Sequence, residues 1–303
     1  MMKLLLASSF FVLSSYAFTT PLSGVGKTLS YEKLGEGLQQ QHLHNYHDTS
    51  YHHGRKSSSR VILGMGWGPD PVWSSGKVTL SEAACASKSC VSITVEVPSE
   101  TAKEYKIPGQ YVQFRLNEET KPLFLAISSA PKPDVAAFEF LIKKTDNNDW
   151  ITDAAVDTKV ELSQVLGGGF PIEPNFSEDG EPKDVLLFAA GSGIAPLKAA
   201  IEGGKLGGSG KLYYGIRNPE ELCFESSFDE WASEYGVEVV PVMSQPPKDY
   251  KGRTGYVQKA LEEDNSANAD SGVLMCGMKE MAEAVKEVCT KAGVLEKRIL
   301  TNF

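Results

Sequence analysis

The triplet Gly191-Ser192-Gly193 stands between an apolar run, Val185–Ala190, and a stretch that begins Ile194-Ala195-Pro196. A strand, a glycine turn and a helix start, in that order, build an anion site. The turn amides and the first helical N–H groups point the same way, and the helix dipole adds positive potential. Glycine lets a ligand approach the main chain with no Cβ in the way. Pro196 suits the first helical turn, where its missing N–H leaves no bond unmade. The residues after Gly193 are not the x-x-Gly of a dinucleotide fingerprint, so the triplet alone is equally a plain strand-to-helix turn.

The residues that are missing limit the chemistry further. All five histidines (His42, His44, His47, His52, His53) fall in the first 60 residues. If that segment is a removable leader, the folded body has no histidine, and a histidine metal site, a Ser-His-Asp triad and a Cys-His pair are excluded. The five cysteines, Cys85, Cys90, Cys223, Cys276 and Cys289, form no C-x-x-C pair. An odd, scattered set suits a reduced compartment and cannot supply a four-cysteine cluster site, so no metal is expected. Net charge is −9 over 303 residues, against nucleic acid as a partner. The charge is uneven: residues 1–60 carry six basic and three acidic residues, which leaves 24 basic and 36 acidic, net −12, for the remainder.

The elements that must position these residues come in two kinds. From Pro71 to Glu173 the pattern is that of short strands. In "CVSITVEVP", Val91, Ile93, Val95 and Val97 alternate with polar residues; "QYVQFRL", "FLAISS", "AFEFLIKK" and "KVELSQVL" follow, with turn residues between them. That spacing predicts a small antiparallel barrel. After "FSEDGEPKD" the period changes. The apolar strands "VLLFAA", "KLYYGIR", "VEVVPVMS" and "SGVLMCG" alternate with helices from about Pro196, around "ESSFDEWASEYG", at "YVQKALEE" and at "KEMAEAVKEVCTKAG"; "ILTNF" ends the chain. Such alternation predicts a parallel sheet covered on both faces. The expected units are a signal peptide over 1–17, a transit-like disordered leader over 18–60, a barrel domain over 70–177 and an α/β domain over 183–303. The leader reading rests on Lys3, the apolar run Leu4–Leu13 and the small residues up to Ala17, followed by a Ser-, Gln-, His- and Tyr-rich stretch. The run is too short for a membrane anchor.

Read in order, "PGQYV", "GGGF", the glycine turn and "MCG" resemble the ferredoxin–NADP reductase superfamily, which pairs an FAD-binding barrel with a nicotinamide-nucleotide domain. The likeness covers roughly residues 71–303. Segments such as "FLAISS", "ELSQV", "YYGIRN", "GYVQ" and the terminal "NF" are similar to a plant plastid group of FAD/NAD(P)-binding oxidoreductases named after a kiwifruit protein. The junction "YAFTTP", with Phe18 after the cleavage point, resembles the bipartite plastid leader of algae with secondary plastids; secretion is the alternative destination.

The resemblance implies a set of site residues. In the family, an R-x-Y-[ST]-x-x-S strand holds the flavin. Here it reads "LFLAISS": Leu123, Leu125 and Ala126 stand where the arginine, tyrosine and hydroxyl belong, and Ser129 matches. Main-chain groups of Leu125, Ala126, Ile127 and Ser128 are left to bind the ring. A charge-assisted phosphate contact of about 1.5–3 kcal/mol is lost with the arginine. Gly168, Gly169 and Phe170 resemble the pyrophosphate loop of dihydroorotate dehydrogenase electron-transfer subunits. Gly191, Ser192, Gly193, Ile194, Ala195 and Pro196 match the nucleotide turn. Cys276 and Gly277, with Met278 after them, match the pair beside the nicotinamide. Phe303 matches a C-terminal aromatic that covers the flavin. Arg217, followed by Asn218, pairs either with a nucleotide phosphate or with a surface carboxylate. Hydride transfer between NADPH or NADH and FAD needs no histidine, because the cofactors carry the redox chemistry. The partners implied are a nicotinamide nucleotide and an unidentified electron acceptor, with no nucleic acid and no membrane span in a mature, monomeric protein. A body of net −12 disfavours acidic ferredoxin as the acceptor. Ser244-Gln245 stands where a 2′-phosphate reader would place Ser-Arg, and the choice of nucleotide stays open. The alternative from another class is a nucleotide-binding regulatory or assembly protein with little turnover.

Overall fold

A computed structural model describes residues 70–177 and 180–302. The expected signal peptide, the transit-like leader, all five histidines and Phe303 lie outside these residues. The first sheet holds six antiparallel strands: β1 (Ser74–Ala83), β2 (Cys90–Glu96), β3 (Tyr111–Arg115), β4 (Leu123–Ala126), β5 (Ala137–Lys143) and β6 (Lys159–Leu162), in the order β4-β3-β6-β1-β2-β5. The alternation of β2 lands as its pattern requires, with Val91, Ile93 and Val95 all buried against Phe114, Phe138 and Phe140. The first strand, β1, has no such pattern: only Gly76 and Val78 are buried along it. A bulge between Val78 and Leu80 bends it; Ser74–Lys77 pair with β6, and from Lys77 to Ala83 the strand pairs with β2. A Cβ at Gly76 would lie 2.5 Å from Leu162 Cδ1 and 2.8 Å from Val95 Cγ1, so a larger residue there would have to displace both core side chains.

The end strands β4 and β5 share no ladder, yet the sheet curls until they almost meet. Ser128 N–H, just past β4, donates to the Glu139 carbonyl of β5 at 2.8 Å, and Glu139 N–H donates to Ser129 Oγ at 3.2 Å. Tyr105 Oη, buried beneath, donates to the Ser129 carbonyl at 2.8 Å. The serines after β4 therefore close the barrel. Three short helices, α1 (Ser99–Glu104), α2 (Asp149–Thr152) and α3 (Ile172–Phe176), fill the connections.

The second sheet is wholly parallel, ordered β10-β9-β8-β7-β11-β12. Its strands are β7 (Asp184–Ala190), β8 (Ser209–Ile216), β9 (Val237–Met243), β10 (Arg253–Thr254), β11 (Ser271–Cys276) and β12 (Ile299–Thr301). Val185 to Ala189 are all 2 % exposed or less, as a strand covered on both faces demands. Helices α4 (Ile194–Glu202) and α5 (Phe228–Glu234) pack on one face, and α6 (Val257–Asp264) and α7 (Lys279–Lys291) on the other. The α4–α5 core also takes in Leu141, Phe170 and Ile172 from the preceding half, so the two sheets share one apolar interior. The cysteines that are scattered in sequence are not scattered in space: Cys85, Cys90 and Cys223 converge. Among the described residues no helix is long and apolar enough to cross a membrane.

Candidate active site

From β7 the chain runs outward to β8, β9 and β10, then returns to the other side of β7 for β11 and β12. The reversal leaves a crevice at the carboxyl ends of β7 and β11, the place where open parallel sheets take ligands. There the Gly191–Gly193 turn, a single 3-10 turn, meets Cys276. A Cβ on Gly193 would lie 2.3 Å from the Cys276 carbonyl oxygen and 2.8 Å from its carbon. Gly193 is therefore glycine because of packing between the two strand ends. Gly191 is the position open to a ligand: its φ is +53°, and a Cβ there would meet nothing within 4 Å.

Across the crevice stands β4, an edge strand paired only with β3. The cleft between them has a volume of about 1030 Å³. Leu123, Phe124, Leu125 and Ala126 form one wall; Gly191–Gly193, Ala195, Pro196, Arg217, Cys276, Gly277 and Met278 form the other. Three large apolar side chains lie exposed at it, Phe124 (66 %), Tyr256 (63 %) and Met278 (60 %). Flat apolar faces left in water mark a binding surface.

The helices α4, α6 and α7 all begin at this cleft, and none has a side-chain cap. Ile194 N–H already bonds the Gly191 carbonyl, Lys259 N–H bonds the Tyr256 carbonyl at 3.0 Å and Pro196 has no N–H, so the other first-turn N–H groups are the ones open to a ligand, and the three dipoles add there. The charged side chains that line it cancel: Lys143 and Arg217 against Glu221 and Glu280. Arg217 is ion-paired to Glu221, which raises its pKa. Of the two partners open to it, the carboxylate is the one it holds. Gln258, at the second position of α6, lines the cleft with a buried Oε1 that has no hydrogen-bond partner. Burial pushes the Cys276 thiol up to about 11 against a smaller opposing hydrogen bond from Asn302, so it is neutral near pH 7. Asn302 also fills the space above Gly109, where a Cβ would lie 2.7 Å from its Oδ1.

Several residues expected at the site stand elsewhere. Ile127 and Ile194 are fully buried in the apolar cores. Ser128 and Ser129 close the barrel. Phe170 is buried under Gly109, and Gly169 (φ +60°) presses on the Pro108 carbonyl, where a Cβ would come to 2.5 Å. These contacts make the Gly169–Phe170 pair a packing element of the Ile107–Gly109 turn. Gly168 and Asn218 do not line the cleft either, although a Cβ on Gly168 would meet open space. Sequence reasoning passed over Phe124, Lys143, Tyr256 and Gln258, which do line it. Exposure of an aromatic residue is invisible in a pattern of alternation, and only the edge position of β4 and the start of α6 reveal it.

Behind the cleft, the Lys198 ammonium on α4 is buried between Glu139 of β5 (2.9 Å) and Glu202 (2.7 Å). Burial opposes its charge, but the two carboxylates outweigh it and raise the pKa. Trp231 Nε1 donates to the other oxygen of Glu202 at 3.1 Å. This network ties the first sheet to the helix that starts at the glycine turn.

A profile of oxidoreductase NAD-binding domains matches residues 187–287. The fruit protein pKIWI502 of Actinidia deliciosa is 29 % identical over 271 residues, 83 % of this chain and 84 % of that one. The NAD(P)H-flavin reductase of Vibrio harveyi is 24 % identical over 189 residues, 60 % of this chain and 79 % of that one. A ferredoxin NADP+ reductase from Neisseria gonorrhoeae, solved with FAD and NADP, superposes with a TM-score of 0.61 at 18 % identity, over 76 % of this chain and 99 % of that one. With an antiparallel near-barrel, a parallel sheet and a crevice between their facing ends, the chain has the ferredoxin–NADP reductase-like fold, with an oxidoreductase NAD-binding domain as its second half.

Proposed function

We propose that this protein is an NAD(P)H-dependent flavin oxidoreductase that takes hydride from a nicotinamide nucleotide into FAD and passes electrons to an acceptor. The observation that carries this reading is the convergence of three uncapped helix N-termini on a cleft whose other wall is an unpaired strand edge. A dinucleotide offers a pyrophosphate to the amides and flat rings to Phe124 and Tyr256. An isoalloxazine offers a row of donors and acceptors to the free edge of β4. The donor set therefore fits both groups without a cation, and the loss of arginine at Leu123 is met by main-chain groups.

Bound flavin and nicotinamide would supply the hydride chemistry themselves. The chain supplies position. Gly191 lets the phosphates reach the turn, and the amides of α4, α6 and α7 hold them. Gln258 Oε1 accepts a hydrogen bond from an amide or hydroxyl of the ligand. Cys276 and Gly277 set the floor beside the reacting ring, and the neutral thiol adds no charge there. In this reading residues 70–177 form the flavin-binding unit and 183–303 the nucleotide-binding unit, the leader over 1–60 directs the chain to a plastid, and the protein works as a monomer.

Purified full-length protein should be yellow, and under anaerobic titration NADPH or NADH should bleach the flavin absorbance. A folded, colourless protein that takes up no FAD when supplied with it would overturn the reading. It would also favour a nucleotide-binding regulatory protein, to which the bare walls at Leu123 and Ala126 point.

A further inference from the structure

Beside the nucleotide cleft, but outside its lining, two loops from different halves of the molecule bring three cysteines together. Cys85 and Cys90 flank the turn that joins β1 to β2, held by Ala84 N–H to the Cys90 carbonyl (2.9 Å) and Lys88 N–H to the Cys85 carbonyl (3.0 Å). Cys223 follows the 3-10 turn Pro219–Glu221, between β8 and α5. The two loops are docked by a main-chain bond, Ser87 N–H to the Glu220 carbonyl at 2.8 Å. All three thiols are buried, and their sulfurs lie within 4.8 Å of one another. Lys88 (φ +56°) and Phe224 (φ +60°), one in each loop, sit in the left-handed region that side chains avoid. That backbone cost falls on both segments that present sulfur.

We infer that Cys85, Cys90 and Cys223 form a binding site for one thiophilic d10 metal ion, Zn2+ or Cu+, that clamps the two halves together. Three thiolates about 2.3 Å from a common ion stand about 4.0 Å apart in a trigonal arrangement, so the sulfurs need close by less than about 1 Å. Soft sulfur ligands select these ions over Mg2+ or Ca2+. On binding, three S–H bonds are exchanged for three S–metal bonds and the protons pass to solvent. The fields of Lys143 and Glu221 both reach Cys90 and oppose each other, so the negative charge that remains rests on the sulfurs and their hydrogen bonds. Ser87 Oγ and Ser89 Oγ lie 3.3 and 3.6 Å from Cys85 Sγ and can hydrogen-bond the thiolate. No carboxylate or histidine joins the cluster among the described residues. Copper(I) accepts three sulfurs as they are, whereas zinc would complete its shell with a water.

The test uses full-length protein purified with reductant and stripped with chelator. Titration with Cd2+, a spectroscopic stand-in for zinc, should give a thiolate charge-transfer band that saturates at one equivalent. A parallel titration with Cu+ against a colorimetric copper(I) chelator separates the two ions. Cys223→Ala and Cys85→Ser should each weaken binding at least tenfold, while Cys289→Ala, which alters a buried thiol of α7, should leave it unchanged. Cys85→Ser changes a residue already surrounded by serines, so it remains informative if Cys223→Ala does not fold. Absence of a saturable band with both metals in wild-type protein would overturn the assignment. So would a band that survives Cys85→Ser undiminished, or a Cys90–Cys223 disulfide that forms in air equally fast with and without one equivalent of added metal.

Discussion

The contact between Gly193 and Cys276 separates packing from ligand binding. In Gly193→Ala the new Cβ would arrive 2.3 Å from a main-chain oxygen and 2.8 Å from its carbon. Neither atom belongs to a flexible side chain, so the turn and the end of β11 must move apart. Overpacking of this kind costs about 1–3 kcal/mol. For a folded body of this size that corresponds to a fall in melting temperature of about 2–12 °C. Gly191→Ala has a different physics. Its Cβ meets open space, and the cost is the left-handed backbone, about 1–2 kcal/mol. The two variants should therefore be destabilised comparably, but only Gly191→Ala places a methyl group in the open cleft where the proposed ligand would bind. Thermal unfolding and nucleotide affinity should be measured for both. Nucleotide binding should weaken more in Gly191→Ala than in Gly193→Ala. Wild-type stability in Gly193→Ala would refute the packing argument, and the reverse order of affinities would place the ligand on the wrong side of the turn.

Tyr256→Ala should weaken nucleotide binding by about 0.5–1.5 kcal/mol, two- to tenfold, through loss of a stacking face, with unfolding midpoints unchanged. Lys198→Met leaves Glu202 and Glu139 without their shared cation; because Glu139 is partly in water, a loss of about 1–3 kcal/mol in chemical denaturation is expected. Burial pushes Cys276 up to about 11 and Cys289 up to about 12, so between pH 9 and these values the native thiols keep protons that unfolded thiols have released. Stability should fall as pH rises through that window, by about 1 kcal/mol per thiol near pH 10, and Cys289→Ala should flatten the slope of denaturation midpoint against pH.

The legible parts of this fold were those with an unbroken period. The alternation of β2 and the continuous apolar run of β7 each match one burial environment over their whole length, and both were readable. The bulged strand β1 was not, because a bulge shifts the period midway and few of its residues are buried. At the site, the glycine turn was readable as a strand-to-helix junction, but the division of labour within it was not. That Gly193 serves packing and Gly191 faces the cleft depends on what lies opposite, and the opposing Cys276 is more than 80 residues further along. The same limit hid the meeting of Cys85 and Cys90 with Cys223, and the use of Ser128 and Ser129 to close the barrel rather than to face the cleft.

Glu139 has a consequence beyond any single bond it makes. Its main chain holds the ends of the first sheet together through Ser128 and Ser129, and its side chain reaches Lys198 on the helix that leaves the nucleotide turn. Two degrees of freedom, the curl of one sheet and its tilt toward the other, are thus governed at one position. Widening the cleft by rotating the halves would pull on β5, and relaxing the curl of β4 would shift α4. A substitution at Glu139 should therefore behave as a change of shape, felt at both walls at once, although the residue does not line the cleft.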